Sequence, residues 1–286
     1  MKTIAAALCL FGLAHTTYGA NQQVIRDFWF SGAEINRYEL SQSRYGEQHP
    51  GHAEFIFVTE PFLLEKQVKH EFGSANSTDV LKLNALRTFN TGLYSYRTMT
   101  STFRPIELDQ FPHALKTNTS VQDWCGQAFQ QINRTQDGWR GELHSYFQKE
   151  GDRAFDLSEA WLEDELWLLV RLDPKRLPMG TFQCVPGTLY TRFTHKPVEA
   201  VDAIGTLKQK NKEQIYSVTY PKLNRTLTIH FKEAFPHIIT KWSETDSGGT
   251  TTATLKDRIM HSEYWSHNKP KHAVERKRLG LDPKAD

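Results

Sequence analysis

The chain reads as an α+β protein, mainly β: one long curved antiparallel sheet, or partial barrel, with two helices packed on it. Three observations predict this. Strand-like segments recur about every 10 to 13 residues between 181 and 259, a spacing typical of sandwiches and barrels. Aromatic residues make up 12% of the chain, which suits pleated, half-buried surfaces. Two segments in the middle carry helical spacing of apolar residues instead.

Taken in order, Glu54–Glu60 puts aromatic and β-branched residues on alternate faces, Leu81, Leu83 and Ala85 alternate with Val80, Lys82 and Asn84, and Leu93–Met99 again has strand composition. Turn residues separate these runs at His49-Pro-Gly51, Gly73–Thr78 and Asn90-Thr-Gly92. The spacing then predicts a helix capped by Ser120: Val121, Trp124, Cys125, Ala128, Phe129 and Ile132 form an apolar stripe. A strand is expected around Trp139–Phe147. A second helix is expected to open at Asp156, to be apolar on more than one side from Trp161 to Val170, and to stop at Asp173-Pro174. The last strands are expected near 181–186, 188–195, 198–208, 213–220, 225–232, 237–244 and 250–259.

The first twenty residues have the layout of a secretory signal peptide: Lys2, an apolar run from Ile4 to Ala14, and small residues at Gly19-Ala20. That implies a protein that works outside the cytoplasm, periplasmic or secreted. The expected organisation is a signal peptide at 1–20, a single β-rich domain at 21–261 with a helical insert near 120–173, and a polar basic tail at 262–286, either solvated or a short surface helix. The formal net charge is only +2, which argues against a nucleic-acid partner. No run approaches a transmembrane helix in length.

Cys125 admits three readings. It falls on the apolar stripe, where a cysteine is a small buried hydrophobe. It is one of two cysteines beyond the leader, so a Cys125–Cys184 disulfide is open, closing a loop of about 59 residues and stabilising by about 4 kcal/mol. In the first turn of a helix it is also open to thiolate formation, with Gln122 as an oxyanion contact and His113 or His144 as base. His49 and His52 flank a Pro-Gly turn and do not complete a metal set, so no metal or other cofactor is expected. Glu159, Glu163, Asp164 and Glu165 read as the wet, dipole-favoured start of the second helix. Walker, dinucleotide, nucleophile-elbow and zincin motifs do not occur.

Phe28–Ala33, Met99–Phe103, Val121–Gly126, Leu162–Trp167 and Asn224–Ile229 are similar to stretches of an uncharacterised group of exported bacterial proteins often labelled "septum formation inhibitor Maf". Maf proteins themselves carry a Ser-Pro-Arg-Arg-like motif near the N-terminus. This chain has none, so no catalytic residue follows from the label. The resemblance implies a bacterial envelope protein. The function expected is non-catalytic binding of an apolar, lipid or glycan ligand or of an envelope partner. Trp29, Tyr94, Tyr96, Arg97, Trp139, Phe193 and Trp242 are the candidate lining residues. The alternative is a hydrolase or acyltransferase using Cys125.

Overall fold

The computed structural model describes residues 17–281. Helix α1 (Thr17–Trp29) leads into eight strands: β1 (Ala33–Arg44), β2 (Glu47–Leu63), β3 (Ser77–Thr91), β4 (Tyr94–Pro105), β5 (Lys116–Asp123), β6 (Gln127–Arg134), β7 (Gly138–Ser145) and β8 (Arg153–Ser158). A two-residue strand, β9 (Trp161–Leu162), opens α2 (Glu163–Leu172). Then follow β10 (Gly180–Val185), α3 (Thr188–Thr194), β11 (Val201–Lys210), β12 (Glu213–Tyr220), β13 (Arg225–Lys232), β14 (Ile239–Asp246) and β15 (Gly249–Ser262), with a short α4 (Ala273–Arg278) near the end.

Among the described residues, fifteen strands form one sheet in the order β8-β7-β6-β5-β4-β3-β2-β1-β15-β14-β13-β12-β11-β10-β9. β1 to β8 meander outward from the middle. The chain then steps to the far edge, and β10 to β15 meander back until β15 pairs with β1. The pairings are antiparallel except β9 with β10. Strands β8 and β9 are the two free edges, yet only Glu159 and Ala160 separate them, a span of about 11 Å at most. The sheet must therefore curl until its edges nearly meet. A separate apolar cluster packs the seam: Ala114, Ile132 and Trp139 from one side, Leu162 and Val185 from the other. The Trp139 indole N–H donates to the Ala160 carbonyl at 2.9 Å.

Inside the curl lies α2, every residue of which is buried. Alternation explains why the strands face it. Tyr38 and Leu40, Phe55 and Phe57, Leu81 and Leu83, and Leu227, Ile229 and Phe231 recur every second residue in the core around Leu166, Trp167, Leu168 and Leu169. Trp242 stacks on Phe55 (6.0 Å, 7°) and meets Trp167 edge-on (5.9 Å, 82°). Helix α1 lies against β2 and buries Ile25 and Trp29. Helix α3 lies against β4 and β5, its Phe193 set edge-on to Phe89 and Tyr96.

The expected fold class stands, and four local expectations change. The stripe at 121–132 is not a helix but the β5–β6 hairpin. Val121 and Ala128 are cross-strand partners facing inward, and Trp124 and Phe129 face out. Between them the Asp123 carboxylate accepts the N–H groups of Cys125 (2.9 Å) and Gly126 (3.1 Å), an Asx-type turn that spaces the two apolar runs as a helix would. Residues 153–158 are strand β8, so the second helix starts at Glu163. Residues 188–194 are helix α3 rather than a strand. Of the two forms expected after 262 the structure shows the short surface helix, α4, and not a free tail: Leu279 is 4% exposed and packs with Tyr264 and Leu281 on Ile35, Ile56 and Ile259. The expected leader lies outside the described residues except for 17–20, which open α1. None of the described helices is long and apolar enough to cross a membrane.

Candidate functional site

The interior is a polar-anchored core rather than a ligand chamber. The first turn of α2 carries Glu163, Asp164 and Glu165, and all three are buried, not wet. Their charge suits the positive end of the helix, and each has a partner on a different wall. Glu163 takes both terminal nitrogens of Arg225 on β13. Glu165 pairs with Arg104 on β4, and accepts from His113 (3.0 Å) and from the N–H groups of Ala114 (2.6 Å) and Leu162 (3.0 Å). Asp164 accepts from the Thr188 hydroxyl at 2.6 Å, the Thr188 N–H at 3.2 Å and the Thr117 hydroxyl at 3.3 Å. At the other end of α2, Arg171 holds Glu34 of β1 at 3.0 and 2.5 Å and lies over the Phe57 ring at 4.3 Å. Arg87 of β3 reaches Glu244 of β14 at 2.8 and 2.7 Å.

These pairings set the proton affinities. Burial pushes the Glu165 and Glu34 carboxyls up, but Arg104 and Arg171 outweigh it and hold both below the usual range. Asp164 has no cation, so burial pushes it up to about 6. Gly187 leaves room where α3 meets this cluster: a Cβ there would stand 2.6 Å from the Glu163 Oε1, which Arg225 holds in place. The space left beside Trp167, Arg87 and Glu244 is about 30 Å³, on the order of one or two waters. A recess of about 120 Å³ beside α3 is bordered by Tyr45, Tyr190 and Phe193.

The candidate lining residues do not share a cavity. Trp29, Tyr96, Trp139 and Trp242 are buried packing residues, each at most 1% exposed. Tyr94 donates to the Asp123 carboxylate at 2.6 Å and accepts the Cys125 N–H at 2.7 Å, which fixes the hairpin tip. Phe193 borders the small recess. Only Arg97 borders the large cleft on the outer face of the sheet.

The cysteine readings also change. Cys125 is exposed at a hairpin tip, Cys184 is buried, and both are free, so there is no disulfide. Burial raises the Cys184 thiol well above its ordinary value. Cys125 occupies no helix N-terminus and is not a core residue. His113 is buried against Glu165, while His144 pairs with exposed Asp152 at 3.6 Å. Gln122 is exposed on β5 beside Arg97. Among the described residues nothing joins Cys125 to a histidine base, so the geometry assembles no nucleophile. Alkylation with a maleimide should modify Cys125 within minutes in native buffer and Cys184 only after unfolding. Rapid double labelling, read by mass, would contradict this placement.

A cleft of about 420 Å³ lies on the outer face of the sheet beneath residues 264–281. Its floor is a cross-strand row, Ile56–Ile35–Ile259, on the adjacent strands β2, β1 and β15, extended by Leu86 on β3. Its roof is the C-terminal segment, held by Tyr264, Leu279 and Leu281. At the rim His52 meets Glu54 at 2.5 Å, and His267 meets Glu275 at 2.7 Å. Arg97, His272 and Arg276 complete the polar lining. No group of three or more metal-type side chains occurs among the described residues. These rim residues are not legible as a set in the sequence, because β2, β4 and the C-terminal segment meet only through the fold.

A sheet nearly closed around a buried helix places this chain in the β-barrel-like class. The crystal structure of a β-barrel-like protein of domain of unknown function DUF1849 from Brucella abortus is similar in fold. It has a TM-score of 0.52 and 8% identity, and the match covers 81% of this chain and 98% of that one. No protein-family model and no curated protein matches the chain.

Proposed function

We propose that this is an extracytoplasmic, non-catalytic binding protein of a bacterial envelope that holds an apolar small molecule in the cleft between the outer sheet face and the C-terminal segment. The N-terminal sequence supports the address. The observation that carries the binding reading is the cleft itself. Its volume falls in the range of small-molecule sites, and it combines an apolar floor with a few polar groups in its lining. The space beside α2 at Trp167, Arg87 and Glu244 is about 30 Å³ by comparison.

The neutral dye N-phenyl-1-naphthylamine should brighten on binding the purified protein. Ile56→Trp, which fills the cleft from its floor without touching the core around α2, should weaken that binding about ten-fold, the cost of losing on the order of 1.4 kcal/mol of contact. Unchanged dye binding in a folded Ile56→Trp protein would place the dye elsewhere and contradict the reading.

A further inference from the structure

The polar lining of the cleft is asymmetric in what it leaves unsatisfied. Its two carboxylates, Glu54 and Glu275, are each engaged by a histidine. Its two guanidinium groups, Arg97 and Arg276, have no ion pair among the described residues, and both are exposed. They come from β4 and from α4, on the sheet and on the segment that roofs the cleft. The donors left over at the rim are therefore planar forks suited to a carboxylate or a phosphate. Below them the floor is aliphatic.

We propose that the cleft takes an anionic amphiphile: an acyl chain on the isoleucine floor, with its carboxylate or phosphate head held by Arg97 and Arg276. This rests on the reading of the cleft as the binding site and adds the chemical class of its occupant. A cationic head would meet the two unpaired guanidinium groups, and the carboxylates open to it, Glu54 and Glu275, each already accept from a histidine.

The test is displacement of N-phenyl-1-naphthylamine from the purified protein by dodecanoate, dodecyl phosphate, dodecyltrimethylammonium and dodecyl maltoside, all below their micellar concentrations. The two anions should displace the dye at concentrations about ten-fold or more below those of the other two, as charge-assisted hydrogen bonds to the head would give. Arg97→Gln with Arg276→Gln should abolish that preference, with folding checked by thermal melting. A tighter dodecyl phosphate identifies a phosphate head, and a tighter dodecanoate a fatty acid. Equal displacement by the cation, or an anion preference that survives the double substitution, overturns the proposal and leaves the cleft reading standing. Failure of the dye to bind, with calorimetry of dodecanoate also flat, overturns both.

Discussion

Arg104→Ala should destabilise the protein by about 3–5 kcal/mol, the cost of leaving a buried carboxylate without its cation. Glu165 is fully buried, and its remaining partners, His113 and two backbone N–H groups, do not supply a permanent charge. The double substitution Arg104→Met with Glu165→Gln should recover much of the loss. The carboxamide oxygen in the Oε1 position still accepts the Leu162 N–H and no charge is left in the core, while the amide nitrogen faces the Ala114 N–H and keeps the recovery incomplete. Urea denaturation of the two single variants and the double variant reads the coupling directly. A single-variant cost under about 1 kcal/mol would mean that the pair is solvated, and would contradict the buried position of α2.

Asp164→Asn should act in the opposite direction, increasingly from about pH 4 and in full above about pH 6. The folded protein raises this carboxyl above its unfolded value, so it favours folding at low pH, where it is protonated in both states. That contribution is fully present below the unfolded value, near 3.8, and is lost as pH rises through about 6. At neutral pH the buried carboxylate costs the wild type on the order of 3 kcal/mol, at about 1.4 kcal/mol for each pH unit that separates the folded from the unfolded value. Asparagine removes the charge and keeps an oxygen for the Thr188 donors. Melting temperatures should therefore coincide below about pH 4, separate as pH rises from there, and hold their full difference above about pH 6, with the variant higher. A variant that melts lower at every pH would show that the charge is needed where it stands. Glu165 and Glu34 run the other way: their stabilisation holds at neutral pH and fades as acid protonates them.

What can be read along the chain depends on whether a signal is local. Strands β11 to β15 are legible because their inward residues alternate and turn residues part them. The all-round apolar character of α2 announces deep burial. Its acidic first turn looks wet in the sequence, because Arg104 and Arg225 lie 61 and 62 residues away and have no local pattern. Val121 to Ile132 mislead for a different reason. A tight turn between two short strands returns apolar residues at intervals of three and four, so a hairpin imitates a helix stripe. The C-terminal segment looks solvated because Tyr264, Leu279 and Leu281 are scattered among charges, although those three residues suffice to dock it. In the sequence Arg97 stands among aromatics that prove to be core. Its neighbours at the cleft, His52, Glu54 and Arg276, are gathered from distant parts of the chain.

The most direct test of the binding site is amide hydrogen exchange of the purified protein with and without saturating N-phenyl-1-naphthylamine. The account predicts protection in residues 264–281 and in the facing stretches of β2 and β3, around 52–56 and 86–88. Protection confined to α3 and the β14–β15 turn, beside the small recess, would contradict it and move the ligand to that end of the sheet.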